Sequence, residues 1–258
     1  MKLEMQGFRN KIKEEMRKIY DSDQRIISVW EGGSAATGFL DEYSDLDLAI
    51  ICEDDDIESV FEKTEKYLKE TYGIIQKFRM PEPNWHGHSQ CFYIIDNCPK
   101  YFYVDLLIEK ESATNRFTES DRHGNAVIWF DKKSLIDSTP TPKEKVIKKG
   151  KQSYKLVNDS FILSIFEVKK QIARGKIVDA YVNYYALINR LSSLLNLKYR
   201  PEKVDFGLRY THRDFPIEET DLLVNLYSIS NLKEMKEKVE MVESIFNKLI
   251  IELADKWS

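Results

Sequence analysis

The feature that most constrains the fold is a change of sequence pattern near residue 140. Before this point, short β-prone runs alternate with helical stretches, whereas after it the apolar residues follow helical spacing almost without interruption. The segment DSTPTPKEK, residues 137–145, marks the change with two prolines flanked by Ser and Thr. We therefore predict an α+β domain over residues 1–140, a helical bundle over residues 141–258, and a cleft between them.

The N-terminal part predicts a mixed β-sheet flanked by helices. Alternating or continuous apolar runs indicate strands at 25–30, 46–52, 74–78, 90–95, 101–108 and 126–130. Helical periodicity indicates an amphipathic first helix over residues 1–20 and a second over 56–72. Beyond the prolines, the same periodicity predicts helices at 143–173, 178–197, 219–227 and 232–254.

Composition excludes several classes of protein. The chain has 39 Lys and Arg against 43 Asp and Glu, a formal net charge of −4, so no global positive field is available to attract nucleic acid. Its three cysteines form an odd set without paired spacing, which favours reduced thiols in a cytosolic compartment. No run approaches the roughly 18 apolar residues of a membrane span. We expect a soluble, cytoplasmic protein, and its oligomeric state is left open.

The stretch EGGSAATGFLDEYSDLDLAI, residues 31–50, carries the chemistry. Asp45 and Asp47 lie one residue apart, and alternate strand residues share a face at a spacing of about 6.6 Å. Two carboxylates on one face need a neutralising cation, and Mg²⁺ prefers such oxygen ligands. The preceding Gly32, Gly33 and Ser34 suit a phosphate, because glycine lets backbone N–H groups approach closely and serine adds a hydroxyl donor.

This combination resembles the signature of the DNA polymerase β-like nucleotidyltransferase superfamily, a glycine-serine turn followed by two aspartates that alternate with apolar residues. Gly33, Ser34 and residues 45–48 match it position by position. The resemblance implies a third carboxylate on a later strand. We assign Asp105, within the apolar run YFYVDLLIEK, in preference to Asp96 or Asp131, which lie at turn-like ends.

The resemblance further implies an activity and its cofactors. Asp45, Asp47 and Asp105 would bind two Mg²⁺ ions, and a nucleoside monophosphate would pass from an NTP, expected to be ATP, to an acceptor with release of pyrophosphate. Ser44 and Lys148 join Gly33 and Ser34 as candidate nucleotide contacts. Lys148 is one of several lysines at the start of the first C-terminal helix, any of which could reach the triphosphate.

The acceptor is not identified by the motif. The layout of a catalytic domain followed by a helical domain is similar to that of aminoglycoside and lincosamide nucleotidyltransferases, which implies a hydroxyl of a small molecule as acceptor. The acidic run 53–56 would suit a cationic acceptor, although a solvated helix start is the preferred interpretation. The alternatives are a protein-AMPylating, antitoxin-like enzyme and a non-catalytic nucleotide-binding or interaction protein. An RNA nucleotidyltransferase is disfavoured by the net charge.

Three further features stay open. Glu109 and Glu167 are weak candidates for a catalytic base. The loop PEPNWHGHSQCFYI contains His86 and His88, for which we prefer a loop or substrate-facing role over zinc binding, because Cys91 is the one nearby candidate for a further ligand. The aromatic and basic segment 199–216 is long enough to suggest a function. Its arginines would either pair with carboxylates or face the nucleotide, and they are Arg200, Arg209 and Arg213.

Overall fold

The computed structural model describes the backbone of residues 2–258 and the side chains from residue 4 onward. The chain forms two compact units, one ending at Pro140 and the other spanning Thr141–Ser258. Within residues 2–258, every helix is too short or too polar to cross a lipid bilayer. The first residue of the predicted N-terminal helix lies outside the described part of the chain.

The first unit is built on a mixed sheet of six strands. They are β1 (Ile26–Glu31), β2 (Leu46–Cys52), β3 (Ile74–Arg79), β4 (Ser89–Ile95), β5 (Val104–Lys110) and β6 (Val127–Asp131), in the order β3-β4-β5-β2-β1-β6. β2 and β5 pair in parallel, whereas the other neighbours pair antiparallel. The prediction of an α+β fold with a mixed sheet is confirmed.

Helices cover one face of this sheet. The unit contains α1 (Lys2–Asp21), α2 (Gly33–Thr37), α3 (Ile57–Thr71) and α4 (Ser120–His123). The apolar stripes of α1 and α3 pack with every second residue of the central strands, including Leu46, Leu48 and Ile50 of β2. Because strand side chains alternate between faces, Asp47 lies on the opposite face, where Ala49 and Ile51 belong to a separate, smaller core.

The second unit is helical, as predicted. Its helices are α5 (Lys143–Ala173), α6 (Ile177–Tyr199), α7 (Thr211–Asp214), α8 (Ile217–Tyr227) and α9 (Leu232–Trp257), with a 3₁₀ turn at Pro201–Lys203. Residues of α5, α6, α8 and α9 form one continuous apolar core. In it, the rings of Phe161 and Phe246 stack with centroids 3.4 Å apart.

The segment between α6 and α8 is held by a buried arginine. The Arg200 guanidinium donates to the Asn196 side chain at 2.7 Å, to the Gly207 carbonyl at 3.0 Å and to the Asp214 carboxylate at 2.8 Å. Asp214 also accepts from Arg213 at 2.6 Å. Arg200 and Arg213 therefore pair with a carboxylate and stabilise this segment. Arg209, the third arginine, lies over the Phe206 ring at 4.7 Å.

Candidate active site

The register of the sheet brings the predicted carboxylates together. Asp47 on β2 lies directly opposite Asp105 on β5, and Asp45 comes immediately before β2. Both strand aspartates project from the face that α1 and α3 leave uncovered. By contrast, Asp131 accepts hydrogen bonds from the Ser28 hydroxyl at 2.6 Å and from the backbone of Ile136 at 2.9 Å, which gives it a structural role.

The pKa values of the two strand carboxylates, Asp47 and Asp105, are raised. Burial raises the pKa of Asp47 to about 7, aided by the charges of Asp45 and Asp105 and opposed by that of Arg9. Burial also raises the pKa of Asp105 to about 6, against a hydrogen bond from Gln90 that lowers it. Ionised carboxylates are therefore unfavourable at this position, and binding of a cation would offset their charge.

The glycine-serine turn fits tightly against Asp47. The Gly32 N–H donates to the Asp47 carbonyl at 3.0 Å, and Gly33 begins α2 with a φ of +49°. A Cβ on Gly33 would lie 1.8 Å from Asp47 Oδ2, so a side chain at this position cannot fit without displacing the carboxylate. The next residue, Ser34, has a buried hydroxyl oxygen with no hydrogen-bond partner among the described residues. An unpaired hydroxyl next to this contact is a donor available to a phosphate oxygen.

The donor chemistry of the site fits a hard divalent cation. No group of three or more His, Cys, Asp or Glu side chains in residues 4–258 forms a ready-made metal cage. Mg²⁺ rarely uses such cages, since it binds through one or two carboxylates and completes its shell with water and substrate phosphates. The opposed pair Asp47 and Asp105, with Asp45 one residue before β2, provides carboxylates of this kind beside the turn that contains Gly33 and Ser34.

Arg9 is a site residue that the sequence analysis missed. Its guanidinium donates to the Asp45 carbonyl and, at 2.8 Å, to the Glu31 carboxylate. Glu31 is fully buried and also accepts from Trp129 Nε1 at 2.9 Å and pairs with Lys13. Arg9 therefore ties α1 to the end of β1 and to the first aspartate of the motif.

Comparison with known protein families identifies a relationship for this chain. A family model of streptomycin adenylyltransferases matches residues 8–258. The chain belongs to this family. It is accordingly a nucleotidyltransferase, and the superfamily predicted from the glycine-serine turn and the two aspartates is confirmed.

Other comparisons show weaker likeness. A search of curated sequences finds no significant match. An aminoglycoside 6-adenyltransferase from Bacillus subtilis is 14% identical, with 95% of this chain and 89% of that chain covered and a TM-score of 0.37. A nucleotidyltransferase-like protein from Exiguobacterium sibiricum is 13% identical, with 96% and 75% covered and a TM-score of 0.35. A STING-associated c-di-GMP synthase from Capnocytophaga granulosa is 15% identical, with 97% and 82% covered and a TM-score of 0.31. Likenesses at this level carry no argument about activity.

The structure shows the immediate surroundings of two predicted nucleotide contacts, Ser44 and Lys148. The Ser44 hydroxyl donates to the Asp41 carboxylate at 2.8 Å in the loop before β2, so the structure shows it in a turn. Lys148 is exposed on α5 of the helical unit. Contact of either residue with a nucleotide stays a prediction.

The two proposed catalytic bases have different surroundings. Glu109 shares a face of β5 with Asp105 but lies four residues further, about 13 Å along a strand. It is fully buried and accepts from Arg116 at 2.7 Å, and burial raises its pKa to about 7 despite that arginine. Glu167 is exposed on α5 and pairs with Lys170. The alternation of side chains predicts which face of a strand a residue occupies. Its distance along the strand from a residue on a neighbouring strand is known only from the register in which the two strands pair.

The acidic run 53–56 lies at the far end of β2 from Asp47. Asp56 is 3.7 Å from Arg25, and Asp54 accepts from the Ser112 backbone at 3.0 Å. The run forms the turn before α3, and its last residue, Asp56, is the N-cap of that helix, which agrees with the preferred interpretation of a solvated helix start.

The loop with His86 and His88 is packed inward. Both imidazoles are buried, whereas the adjacent Trp85 is 79% exposed. The Asn84 side chain accepts from the Gly87 N–H at 2.8 Å and donates to the His88 carbonyl at 2.6 Å, closing the loop. Within residues 4–258, the imidazoles belong to no group of three or more possible metal ligands, and the preference for a loop or substrate-facing role stays a prediction.

Proposed function

We propose that this protein transfers AMP from ATP to a hydroxyl of a small cationic antibiotic of the aminoglycoside class, with Mg²⁺ as cofactor. The observation that carries the proposal is the opposed pair Asp47 and Asp105 beside a turn in which Gly33 touches Asp47 and Ser34 has a buried, unpaired hydroxyl. A cation held by the carboxylates and a phosphate held by the turn would then lie side by side, as nucleotidyl transfer requires.

Each residue has a defined part in this chemistry. Asp45, Asp47 and Asp105 would bind the divalent cations, which when bound would stabilise the charge of the departing pyrophosphate. The Ser34 hydroxyl donates to a phosphate oxygen, and Gly33 keeps the turn free of a side chain at the carboxylate. The acceptor oxygen forms a bond to the α-phosphorus as the bond to pyrophosphate breaks, and the hydroxyl proton leaves to a base or to solvent.

The choice of acceptor rests on charge and on the family. The family model is named for adenylylation of streptomycin. The net charge of −4 also suits a small cation better than the phosphate backbone of a nucleic acid. The three cysteines are free thiols, which supports a reducing, cytoplasmic location as part of the same proposal.

The test is a screen of purified protein with Mg²⁺, each NTP in turn, and a panel of streptomycin, other aminoglycosides and lincosamides. Pyrophosphate release and product mass are measured. We expect ATP with an aminoglycoside to give a product carrying one AMP. Transfer of label to added protein would instead favour the AMPylating alternative, and nucleotide binding without pyrophosphate release under any condition would favour a non-catalytic binder.

A further inference from the structure

A chain of side-chain hydrogen bonds leads from the buried histidine loop to the third carboxylate. His86 Nε2 lies 3.1 Å from Gln90 Oε1, and Gln90 Nε2 donates to Asp105 Oδ1 at 2.6 Å. Gln90 is on β4, the strand next to β5, and lies with Asp105 on the face of the sheet opposite α1 and α3. The only polar groups that the Gln90 amide bonds among the described side chains are therefore an imidazole on one side and Asp105 on the other.

A backbone donor fixes the direction of each of these side-chain hydrogen bonds. The His88 N–H can only donate, and it donates to His86 Nδ1 at 3.2 Å. Burial lowers the pKa of His86, which keeps the ring neutral, so its single proton is on Nε2. Nε2–H then donates to the Gln90 carbonyl oxygen, and the Gln90 amide must turn its NH₂ group toward Asp105.

The loop around His86 is held in place by its own bonds. The Asn115 side chain donates to the His86 carbonyl at 3.0 Å, and Asn84 closes the turn from the other side. The His86 ring also contacts the rings of Trp85 and Phe117, with centroids 5.0 Å and 6.0 Å away. The imidazole is thus a fixed group rather than a mobile one.

We propose that Gln90, oriented by His86, is a positioning residue that fixes the Asp105 carboxylate for nucleotidyl transfer. The bond to Oδ1 sets the rotation of the carboxylate and leaves Oδ2 available to a divalent cation. The segment NWHGHSQ, residues 84–90, therefore acts on the site through Asp105. The inference rests on the proposed function, since it assigns Asp105 to the cation-binding group.

The first test is kinetic and uses Gln90→Met, which keeps the length of the side chain and removes both polar groups. We expect kcat to fall about 10- to 150-fold, the usual worth of a hydrogen bond to a charged acceptor, with KM for ATP unchanged. Gln76→Met is the matched control, because Gln76 is exposed on β3 of the same sheet, and it should keep parental kcat.

Two histidine variants separate positioning from a merely structural role. His86→Phe should lower kcat, and His86→Gln, which offers an N–H donor at a similar reach, should recover most of it. The double variant of Gln90→Met with His86→Phe should be no slower than Gln90→Met alone, because His86 acts through Gln90. Losses that multiply in the double variant, or parental kcat in Gln90→Met, would overturn the proposal.

A second readout does not depend on activity. Nitrogen-15 NMR of histidine should show His86 protonated on Nε2 at neutral pH, and Mn²⁺ should bind more weakly to Gln90→Met than to Gln76→Met by electron paramagnetic resonance titration. A proton on Nδ1 of His86, or equal Mn²⁺ affinity in both variants, would overturn the proposed role of Gln90 and His86 even if the parent is active. A parent that transfers no nucleotide while both readouts come out as expected would instead refute the proposed function. If Gln90→Met does not fold, the comparison of His86→Phe with His86→Gln decides.

Discussion

Substitution of Gly33 by Ala should disable the site, whereas the same change at Gly32 should be tolerated. A Cβ on Gly33 would lie 1.8 Å from Asp47 Oδ2, and ordinary contact begins at 3.4 Å, so the carboxylate oxygen must move by about 1.6 Å. A displacement of about 1 Å in a reacting geometry can cost on the order of 100-fold in rate. We therefore expect kcat/KM for pyrophosphate release to fall by about 100-fold or more in Gly33→Ala.

Stability should change much less than activity in Gly33→Ala. The φ of +49° at Gly33 strains any residue with a Cβ, at a cost of about 1–2 kcal/mol in the free energy of unfolding. The overlapping atoms belong to the end of the Asp47 side chain, which can rotate away. Urea unfolding followed by circular dichroism measures this loss separately from the kinetics.

Gly32→Ala is the matched control. No heavy atom lies within 4 Å of a Cβ built there, and its φ of −99° is accessible to any residue. Its free energy of unfolding should stay within about 0.5 kcal/mol of the parent, and its kcat/KM within a few-fold. Equal loss of activity in both variants, or parental activity in Gly33→Ala, would refute the contact between the turn and Asp47 as the basis of the site.

Three further predictions follow from buried polar groups. Ser34→Ala should lower kcat/KM for ATP about 10- to 150-fold without loss of unfolding free energy, because the hydroxyl has no partner within the described chain. When the dissociation constants of ATP and of the acceptor are measured separately, only that of ATP should change. Unchanged use of ATP would mean that the turn is only a structural bend. Arg9→Met should lower the free energy of unfolding, measured in urea, by about 3 kcal/mol, because it removes an ion-pair partner at 2.8 Å from the fully buried Glu31. A loss under about 1 kcal/mol would mean that the other partners of Glu31 are enough to stabilise its charge. Burial acts to raise the pKa of Asp214, but hydrogen bonds from its basic neighbours outweigh it and hold that pKa well below its usual range. The folded-state pKa is the lower one, so this stabilisation is present above about pH 4 and is lost as the pH falls further. Asp214→Asn should flatten the acid side of the stability profile, and an unchanged slope there would contradict the assignment.

Long periodic segments could be predicted from the sequence because their signal is repeated many times. The ends of α5 at Lys143 and Ala173 and those of β2 at Leu46 and Cys52 agree with the predicted ranges. The short helices α4 and α7 were missed, since four residues are too few to establish a period. The helical turns within segment 199–216 were not predicted for the same reason.

The proximity of Asp47 and Asp105 depends on something that the sequence does not contain. The two residues are paired through a parallel register between strands separated by a helix and two other strands. Alternation predicts which face each aspartate occupies, but a shift of two residues along the pair would keep the faces and separate the carboxylates.

Arg9 and Gln90 were missed for different reasons. Arg9 lies on the apolar stripe of α1, at helical spacing from Met5 and Ile12. The sequence pattern thus contains a signal for Arg9, a charged residue at a position of the helix that otherwise carries apolar side chains. Gln90 is one polar residue on a half-exposed strand face, as is common in sheets. Its contact with Asp105 follows only from the antiparallel pairing of β4 with β5.

The central claim is that a carboxylate group around Asp47 transfers nucleotide with a divalent cation, and the most direct test compares the parent with Asp47→Asn. Pyrophosphate release from ATP in the presence of streptomycin is measured with Mg²⁺ and again with the metal chelated. The parent should release pyrophosphate only with Mg²⁺. Asp47→Asn should release none, while its unfolding free energy without metal stays equal to or above that of the parent, because the change keeps the side-chain volume and removes repulsion from Asp45 and Asp105. Near-parental, Mg²⁺-dependent turnover in a folded Asp47→Asn protein would contradict the account.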